Sequence, residues 1–549
     1  MMTKTKVSLE GIGEWEVITP QTVYPPREDS LLLCRVISEF TPIPGVKVLE
    51  IGCGSGIVTM VLATLGWEVS ACDLNPFAVS ATRGNMENNG IPGSHKIIES
   101  GIGENLVIPE GTGLVIWNLP YLERGDEDDI FEKIEEIAWS ELPEKGWGGE
   151  LLNFLDSQHN VNELLALMVM KTEPEGKSKV VDWERKGWTS RALASERFGK
   201  EKIDIVAFWK TGAGQTPTII DTCSSTMEEV MEISGGDWVR VMSKTQTNGR
   251  GRKNARWISG DGGVFATWKL GSNLIDEFSP GIIQTTVGAV VSTVLEAEMK
   301  WPNDILNRKG EKMGGVLVES SNDEASGVRI GIGINRYGFS KEKKIWGCGW
   351  EDTLGNVDAK EVFKKIDRGI SSIFEKTGIL PLPSKENLVI QSWLSLSKSL
   401  SRGIAVRLGN EVVRPSGLNE LGELRVTGGS IGSELCRQIV FLKPKALIII
   451  DNSELNLYLI SIASIFLVLG LLNSKILSPL NNLWVKLGEI LGRIIAPIVM
   501  AIVYFFILTP ISLLVRLFGK DLIGMKFSND IKSYWVKRKK HLGSMDKQF

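Results

Sequence analysis

Histidines and paired cysteines are scarce in this 549-residue chain, and that scarcity narrows its chemistry. The three histidines, His95, His159 and His541, stand in no motif, so catalysis built on a histidine base is not expected. The six cysteines, Cys34, Cys53, Cys72, Cys223, Cys348 and Cys436, include no Cys-x-x-Cys pair. That pattern suits neither a zinc site nor a disulfide framework, and a reducing compartment is the expectation. Neither sign of charge dominates: 62 Lys and Arg face 66 Asp and Glu, and no long basic stripe precedes residue 440. Such a balance argues against a general nucleic-acid binder. Internal repeats and low-complexity tracts are absent. The N-terminus has no apolar core of signal-peptide type, so the first domain is expected to begin in the cytosol.

The composition changes sharply near the C-terminus. Ile494 to Val515 is 22 residues without a charge, enough to span a ~30 Å hydrocarbon layer. Leu455 to Leu472 is a second, shorter apolar run. Two buried helices of a soluble domain are the alternative, but no adjoining sequence could cover them. A central charge would cost ~2.5–3.5 kcal/mol in a membrane, and the longer run avoids one. Pro497 and Pro510 are tolerable near the ends of such a helix. The tail that follows is basic, with Lys520, Lys526, Lys532 and Lys537-Arg-Lys-Lys540. The excess of Lys and Arg puts the tail in the cytosol, and a two-span hairpin returns the preceding domains there too. The expectation is a membrane-anchored chain with its catalytic domains in the cytoplasm.

The length exceeds one hydrophobic core, so two to four domains are expected. Residues 1–210 alternate apolar runs (Val46–Ile51, Glu68–Cys72, Leu114–Trp117) with helical stretches, the pattern of a parallel α/β sheet. Lys210-Thr-Gly-Ala-Gly-Gln-Thr-Pro217 is a short Gly/Pro joint. Residues 217–395 are mixed α+β, and 400–443 show short strands with turn signals that fit a small appended β-barrel. Residues 446–525 hold the two candidate spans and 526–549 the basic tail.

In the first domain, Val48-Leu-Glu-Ile-Gly-Cys-Gly-Ser-Gly56 reads as a strand entering a glycine-rich turn that opens a helix. Glu50, Gly52, Gly54 and Gly56 lie in it, and its glycines let a nucleotide-like ligand approach the backbone. Asp73 closes the next strand, where an acid can hold ribose hydroxyls or be only a common strand-end residue. Val115-Ile-Trp-Asn118-Leu-Pro120-Tyr121 ends a later strand with an amide, a proline and a ring. An Asn side chain offers one acceptor and two donors, enough to grip a planar amide or an amino-purine edge, although it also serves as a strand-end cap. This set resembles the Asn-Pro-Pro-Tyr methyltransferases, which methylate adenine N6 or a glutamine amide. Tyr24-Pro-Pro-Arg-Glu-Asp-Ser30, Leu31-Leu-Leu33 and Trp147-Gly-Gly149 resemble the archaeal and eukaryotic branch of the HemK-type release-factor glutamine methyltransferases. Glu28 and Asp29 also suit a helix N-terminus. The resemblance covers about 8–209 and implies a Rossmann-like fold, S-adenosylmethionine as cofactor, Asn118 as the catalytic amide and Pro120 and Tyr121 against the substrate. It also implies a class I release factor as partner and a small zinc-containing activator. Leu119 stands where the family has Pro, which leaves an inactive scaffold open; adenine in nucleic acid remains open as substrate.

In the second domain, Gln246-Thr-Asn-Gly249-Arg250-Gly251-Arg252 is a glycine turn studded with guanidinium groups, able to order over an anion. Lys300-Trp-Pro-Asn-Asp304 places a lysine and an aspartate around a Trp-Pro unit. Lys312-Met-Gly314-Gly-Val-Leu-Val-Glu319 carries another lysine into an apolar strand. Together they suggest carboxylate activation with ATP, and in this order they resemble biotin–protein ligases over about 217–443. That resemblance implies an α+β, class II synthetase-like fold and ATP with magnesium, whose protein ligands are unassigned. Gln246 would contact biotin; Arg250 and Arg252 would meet its carboxylate and the α-phosphate. Lys312 would bridge the reacting oxygens, Trp257 would stack on adenine, and Asp304 would lie near the reaction centre. Ser225 and Thr226 match the family's early pair, with Met227 where Asn is usual, and Gly331-Ile-Gly-Ile-Asn335 matches the pocket floor. The implied partner is the biotin-carrier domain of a carboxylase. Arg240 and Arg336 are expected at the surface, Glu296-Ala-Glu-Met-Lys300 lies in the ligase's own strand rather than in an acceptor, and no specific DNA binding is expected. The last part, 453–525, weakly resembles SxtJ-type two-span membrane proteins, especially at Trp484-Val-Lys-Leu-Gly488, Gly492-Arg-Ile-Ile-Ala-Pro497 and Arg516-Leu-Phe-Gly-Lys-Asp521.

Overall fold

The computed structural model describes residues 2–120, 143–252, 255–320, 327–338, 347–400, 405–408, 411–426, 429–432 and 439–442, with Lys486 alone beyond them. Met1–Pro444 form one compact unit and Lys445–Phe549 another. Among the described residues no helix is long and apolar enough to cross a membrane. Both candidate spans, and the basic tail, lie outside those residues.

The chain opens with an antiparallel hairpin of β1 (Thr3–Leu9) and β2 (Gly13–Thr19). A seven-stranded sheet follows, built from β3 (Lys47–Ile51), β4 (Glu68–Asp73), β5 (Lys96–Glu99), β6 (Thr112–Asn118), β7 (Leu165–Glu173), β8 (Trp188–Phe198) and β9 (Glu201–Lys210). Its order is β5-β4-β3-β6-β7-β9-β8; the first five are parallel, and β9 runs antiparallel to both β7 and β8. The central strands are buried, as strands covered on both faces require. Helices α1 (Glu28–Ile37), α2 (Ile57–Leu65) and α3 (Pro76–Asn88) belong to this layer. Asn75 caps α3 by accepting from the Phe77 N–H at 2.9 Å, with Pro76 preset at the first helical position. Further along come α4 (Gly146–Asp156) and α5 (Val180–Arg185).

The second sheet contains β10 (Thr218–Cys223), β11 (Trp238–Gln246), β14 (Val264–Leu270), β15 (Glu298–Lys300), β16 (Asp304–Leu306), β17 (Lys312–Ser320) and β18 (Val328–Ile334). Its order is β10-β11-β14-β18-β17-β16-β15, antiparallel except for the first pair. A separate ribbon of β12 (Gly249–Arg250) and β13 (Arg256–Trp257) carries the arginine-rich turn back across it. Helices α6 (Thr226–Glu232), α7 (Pro280–Val294), α8 (Ala359–Phe374) and α9 (Lys385–Leu400) complete this half. The expected small barrel corresponds, among the described residues, to two three-stranded antiparallel sheets. These are β20-β19-β24 and β21-β22-β23, from β19 (Ala405–Leu408), β20 (Glu411–Val413), β21 (Pro415–Leu418), β22 (Leu424–Val426), β23 (Gly429–Ile431) and β24 (Ile439–Leu442). Leu418, Leu424 and Ile431 pack on Trp301, whose Nε1 donates to the Gly422 carbonyl at 2.9 Å.

Two surface expectations fail. Arg240 is 4% exposed and ion-pairs with Asp367 of α8 at 2.6 Å, because a guanidinium can satisfy a buried carboxylate that no neighbouring residue in sequence announces. Arg336 is half-buried, held by Glu351 at 3.0 Å and Asn356 at 2.6 Å.

Candidate active sites

The first site lies where β3 and β6 sit side by side at the centre of the sheet, the position at which open α/β sheets bind ligands beyond their strand ends. Gly54 adopts φ 51°, and its N–H donates to Asp73 Oδ2 at 2.9 Å. A Cβ at Gly54 would meet nothing within 4 Å, so its outer face is open, whereas one at Gly56 would come 2.8 Å from Thr82. The Asn75 N–H also donates to Asp73, at 2.9 Å, so this carboxylate organises the loop besides facing the site. Burial pushes the Asp73 carboxyl up, and the Asn75, Gly54 and Leu74 amides pull it back. Glu50 differs from the expected cofactor contact. It is 4% exposed, accepts the Thr59 hydroxyl, and is pushed up to about 8 by burial. It therefore underlies the glycine loop rather than lining it.

Asn118 closes β6, and two phrases far apart in sequence meet there. Its Nδ2 donates to Asp29 Oδ2 at 3.2 Å and to Ser30 Oγ at 3.3 Å, while its Oδ1 is buried without a hydrogen-bond partner. A buried orphan acceptor is costly unless a ligand N–H fills it. Leu119 is 3% exposed and packs into the same core as Trp117, Leu151 and Leu152, so the missing proline is replaced by an anchored side chain. Pro120 is exposed; Tyr121 lies outside the described residues.

The second site is a cavity of about 260 Å³. Of the expected residues, Ser225, Thr226, Gln246, Arg250, Gly251, Arg252, Trp257, Asp304 and Lys312 line it. Gly249, Lys300, Gly314 and Asn335 do not: Gly314 packs on the Gly333 carbonyl, and Asn335 Oδ1 accepts from the Gly260 N–H at 3.2 Å. Gln246 Oε1 accepts from the Thr226 amide at 2.8 Å and the Thr226 hydroxyl at 3.2 Å, which aims its amide nitrogen away from them. Ser225 Oγ is buried beside them without a partner. Lys312 Nζ meets Asp304 Oδ1 at 2.6 Å and lies 5.4 Å from the centre of the Trp257 ring. Arg252 donates to Asn303 Oδ1 at 3.4 Å. Cations at one end and neutral polar groups at the other suit a ligand with an anionic head and an amide-like tail.

Sequence reasoning missed Met227, Asn303 and Gly315 as lining residues, whereas Gly331 and Gly333, expected in the pocket floor, do line the cavity. The signal for the glycines was the alternation Gly331, Gly333 on β18, which leaves room on one face: a Cβ at Gly333 would come 2.8 Å from the Trp257 ring. Among the described residues no cluster of three or more His, Cys, Asp or Glu side chains is placed to hold a metal ion.

Three family models match the chain. Ribosomal protein L11 methyltransferase (PrmA) matches residues 33–118, the Biotin/lipoate A/B protein ligase family matches 233–335, and Saxitoxin biosynthesis operon protein SxtJ matches 430–524. The Bifunctional ligase/repressor BirA of Bacillus subtilis is 35% identical over 133 residues, 22% of this chain and 41% of that protein. The chain thus spans about two fifths of the length of the ligase relatives it matches. The Ribosomal protein L11 methyltransferase of Campylobacter fetus is 42% identical over 58 residues, 10% of this chain and 21% of the relative. A biotin protein ligase from Aquifex aeolicus, in complex with biotin and ATP, is similar at 26% identity over 42% of this chain and 96% of its own, with a TM-score of 0.32. The chain therefore carries a segment similar to PrmA, a segment similar to the Biotin/lipoate A/B protein ligase family and a segment similar to SxtJ.

Proposed function

We propose that the chain is a bifunctional enzyme that attaches biotin to a lysine of a carboxylase's biotin-carrier domain and methylates a glutamine amide in a class I release factor. The observation that carries the first reading is the cavity holding Gln246, Arg250, Arg252, Asp304 and Lys312 together. Arg250, Arg252 and Lys312 neutralise the biotin carboxylate and the α-phosphate of magnesium-bound ATP as they approach. The carboxylate oxygen attacks the α-phosphorus, pyrophosphate leaves, and biotinyl-AMP forms. Lys312 stabilises the charge that develops, moving from Asp304 to the phosphoryl oxygens. Asp304, thus released, orients the acceptor lysine, whose nitrogen attacks the acyl carbon as AMP leaves. Trp257 covers the adenine. Incubating the full chain with biotin and magnesium-ATP tests this: pyrophosphate release with biotinyl-adenylate supports the ligase reading, and neither product sinks it.

For the methyltransferase-like half, the supporting observation is the orphan Asn118 Oδ1. S-adenosylmethionine, when bound, supplies an already activated methyl group, so this chain need only bind and align. The Gly52–Gly56 loop and Asp73 would hold the cofactor. Asn118 accepts the substrate N–H and turns the nitrogen lone pair along the line of attack. The same acceptor fits adenine N6, which is the second reading. Residues beyond 445 act as a membrane hairpin with the basic tail and both catalytic halves on the cytoplasmic side, and a small zinc-containing partner supports the methyltransferase half. Protease added from the cytosolic side is expected to digest the tail; a protected tail would reverse that orientation.

A further inference from the structure

The joint between the two halves is wrapped around a buried carboxylate. Glu375, just past α8, is 8% exposed and accepts from Trp209 Nε1 at 3.1 Å, from the Gly212 N–H at 3.0 Å, from the Ala213 N–H at 3.2 Å and from the Ser371 hydroxyl. Three of those four donors come from the methyltransferase-like half and the joint. Gly212 and Ala213 both have left-handed backbones, φ 62° and 48°, and consecutive amides in such a turn form a concave anion site. For Ala213 that conformation costs about 1–2 kcal/mol. The joint is therefore shaped around the carboxylate and is not a free linker, contrary to its sequence pattern.

Other contacts close the same seam. Thr189 Oγ1 lies 2.7 Å from Ser371 Oγ. Arg191 donates to the Ser372 carbonyl, and to the Pro381 carbonyl at 2.9 Å. Ile379 and Leu380, from the ligase side, are 7% and 6% exposed because they lie inside the methyltransferase-like core with Leu114, Leu165 and Trp209. On the far side of the joint, Arg240 donates to the Gln215 carbonyl while ion-pairing with Asp367 of α8.

We propose that the methyltransferase-like and ligase halves form one cooperative unit, latched by Glu375 in the Gly212–Ala213 turn, so that neither core opens independently. Parting them would strip the carboxylate of three of its four donors, leave an indole N–H and two amides without these partners and expose two core aliphatics. Each half is a stabilising partner for the other.

Buried thiols read this directly and require neither reaction. Cys34, Cys53 and Cys72 report the first half, Cys223 and Cys348 the second. Burial pushes every one of these thiols up, so each is labelled only when its core opens. The full chain is pulsed with iodoacetamide at rising urea, and labelling is mapped by mass spectrometry. Both thiol sets are expected to share one midpoint, and in an Arg191→Ala, Glu375→Ala double variant to separate by more than one transition width. Separate midpoints in the unmodified chain, or midpoints that stay together in the double variant, overturn the proposal. Should the double variant not fold, Glu375→Gln serves instead. It keeps the shape but halves the acceptors, and it is expected to lower the midpoint of the first set before the second, with coincident midpoints again counting against the latch.

Discussion

Asn118 and Lys312 carry the sharpest consequences of single atoms. Asn118 is pinned through its donors and left with a bare acceptor, so Asn118→Ala is expected to lower methyl transfer by about 10²-fold or more while cofactor affinity stays near normal. Isothermal titration beside an initial-rate assay separates the two; loss of cofactor binding would make Asn118 structural. Lys312→Ala should slow biotinyl-adenylate formation by about 10²–10³-fold, read by pyrophosphate release, and an unchanged rate would remove Lys312 from the reaction. Glu50 gives a pH signature. Its folded carboxyl is raised from the ordinary 4.5 to about 8, so the folded state holds a proton that the unfolded state has lost. Its contribution is full below 4.5 and falls by about 1.4 kcal/mol per pH unit until about 8. Urea unfolding of Glu50→Gln across that window should lose this slope; an unchanged slope would place the titration elsewhere.

At the scale of elements, the paired strands β17 and β18 owe their cavity to glycine, but not at every position equally. A Cβ at Gly314 would lie 2.8 Å from the Gly333 backbone oxygen, which can yield only by parting the strands. A Cβ at Gly331 would meet Met227 Sδ at 2.7 Å, the mobile part of a flexible side chain. Gly314→Ala is therefore expected to cost about 1–3 kcal/mol and Gly331→Ala clearly less, measured by denaturant unfolding. Equal costs would mean the strands part as easily as methionine turns. These elements also show what was readable beforehand. The strands Val46–Ile51, Glu68–Cys72 and Leu114–Trp117 all appear within a residue or two, because continuous apolar runs between turn signals are local information. The arginine turn, Asp304 and Lys312 stand in short contiguous phrases of the sequence, and they line one cavity. What was not legible depends on distance: Asp29 meets Asn118 across 89 residues, Arg240 meets Asp367 across 127 and Gly212 meets Glu375 across 163. No spacing rule reaches that far, so a buried arginine looked like a surface one and a carboxylate cradle looked like a linker.

For the whole molecule, two candidate sites share one compact unit, Met1–Pro444. Charge is near balance over the whole chain, which argues against a general attraction for nucleic acid, and under the proposed function the geometry at Asn118 would select the methyl acceptor. The central claim is that this single chain performs both transfers. The most direct measurement is one intact-mass spectrum of a mixture of class I release factor and apo biotin-carrier domain. The mixture is first incubated with the full chain, biotin, magnesium-ATP, S-adenosylmethionine and a small zinc-containing activator of the glutamine methyltransferase family. The account predicts one methyl group added to the release factor and one biotinyl group added to the carrier, each lost separately in Asn118→Ala and Lys312→Ala. A carrier that gains no mass would contradict the ligase assignment; a release factor that gains none, with cofactor still bound, would contradict the glutamine assignment and leave adenine as the acceptor.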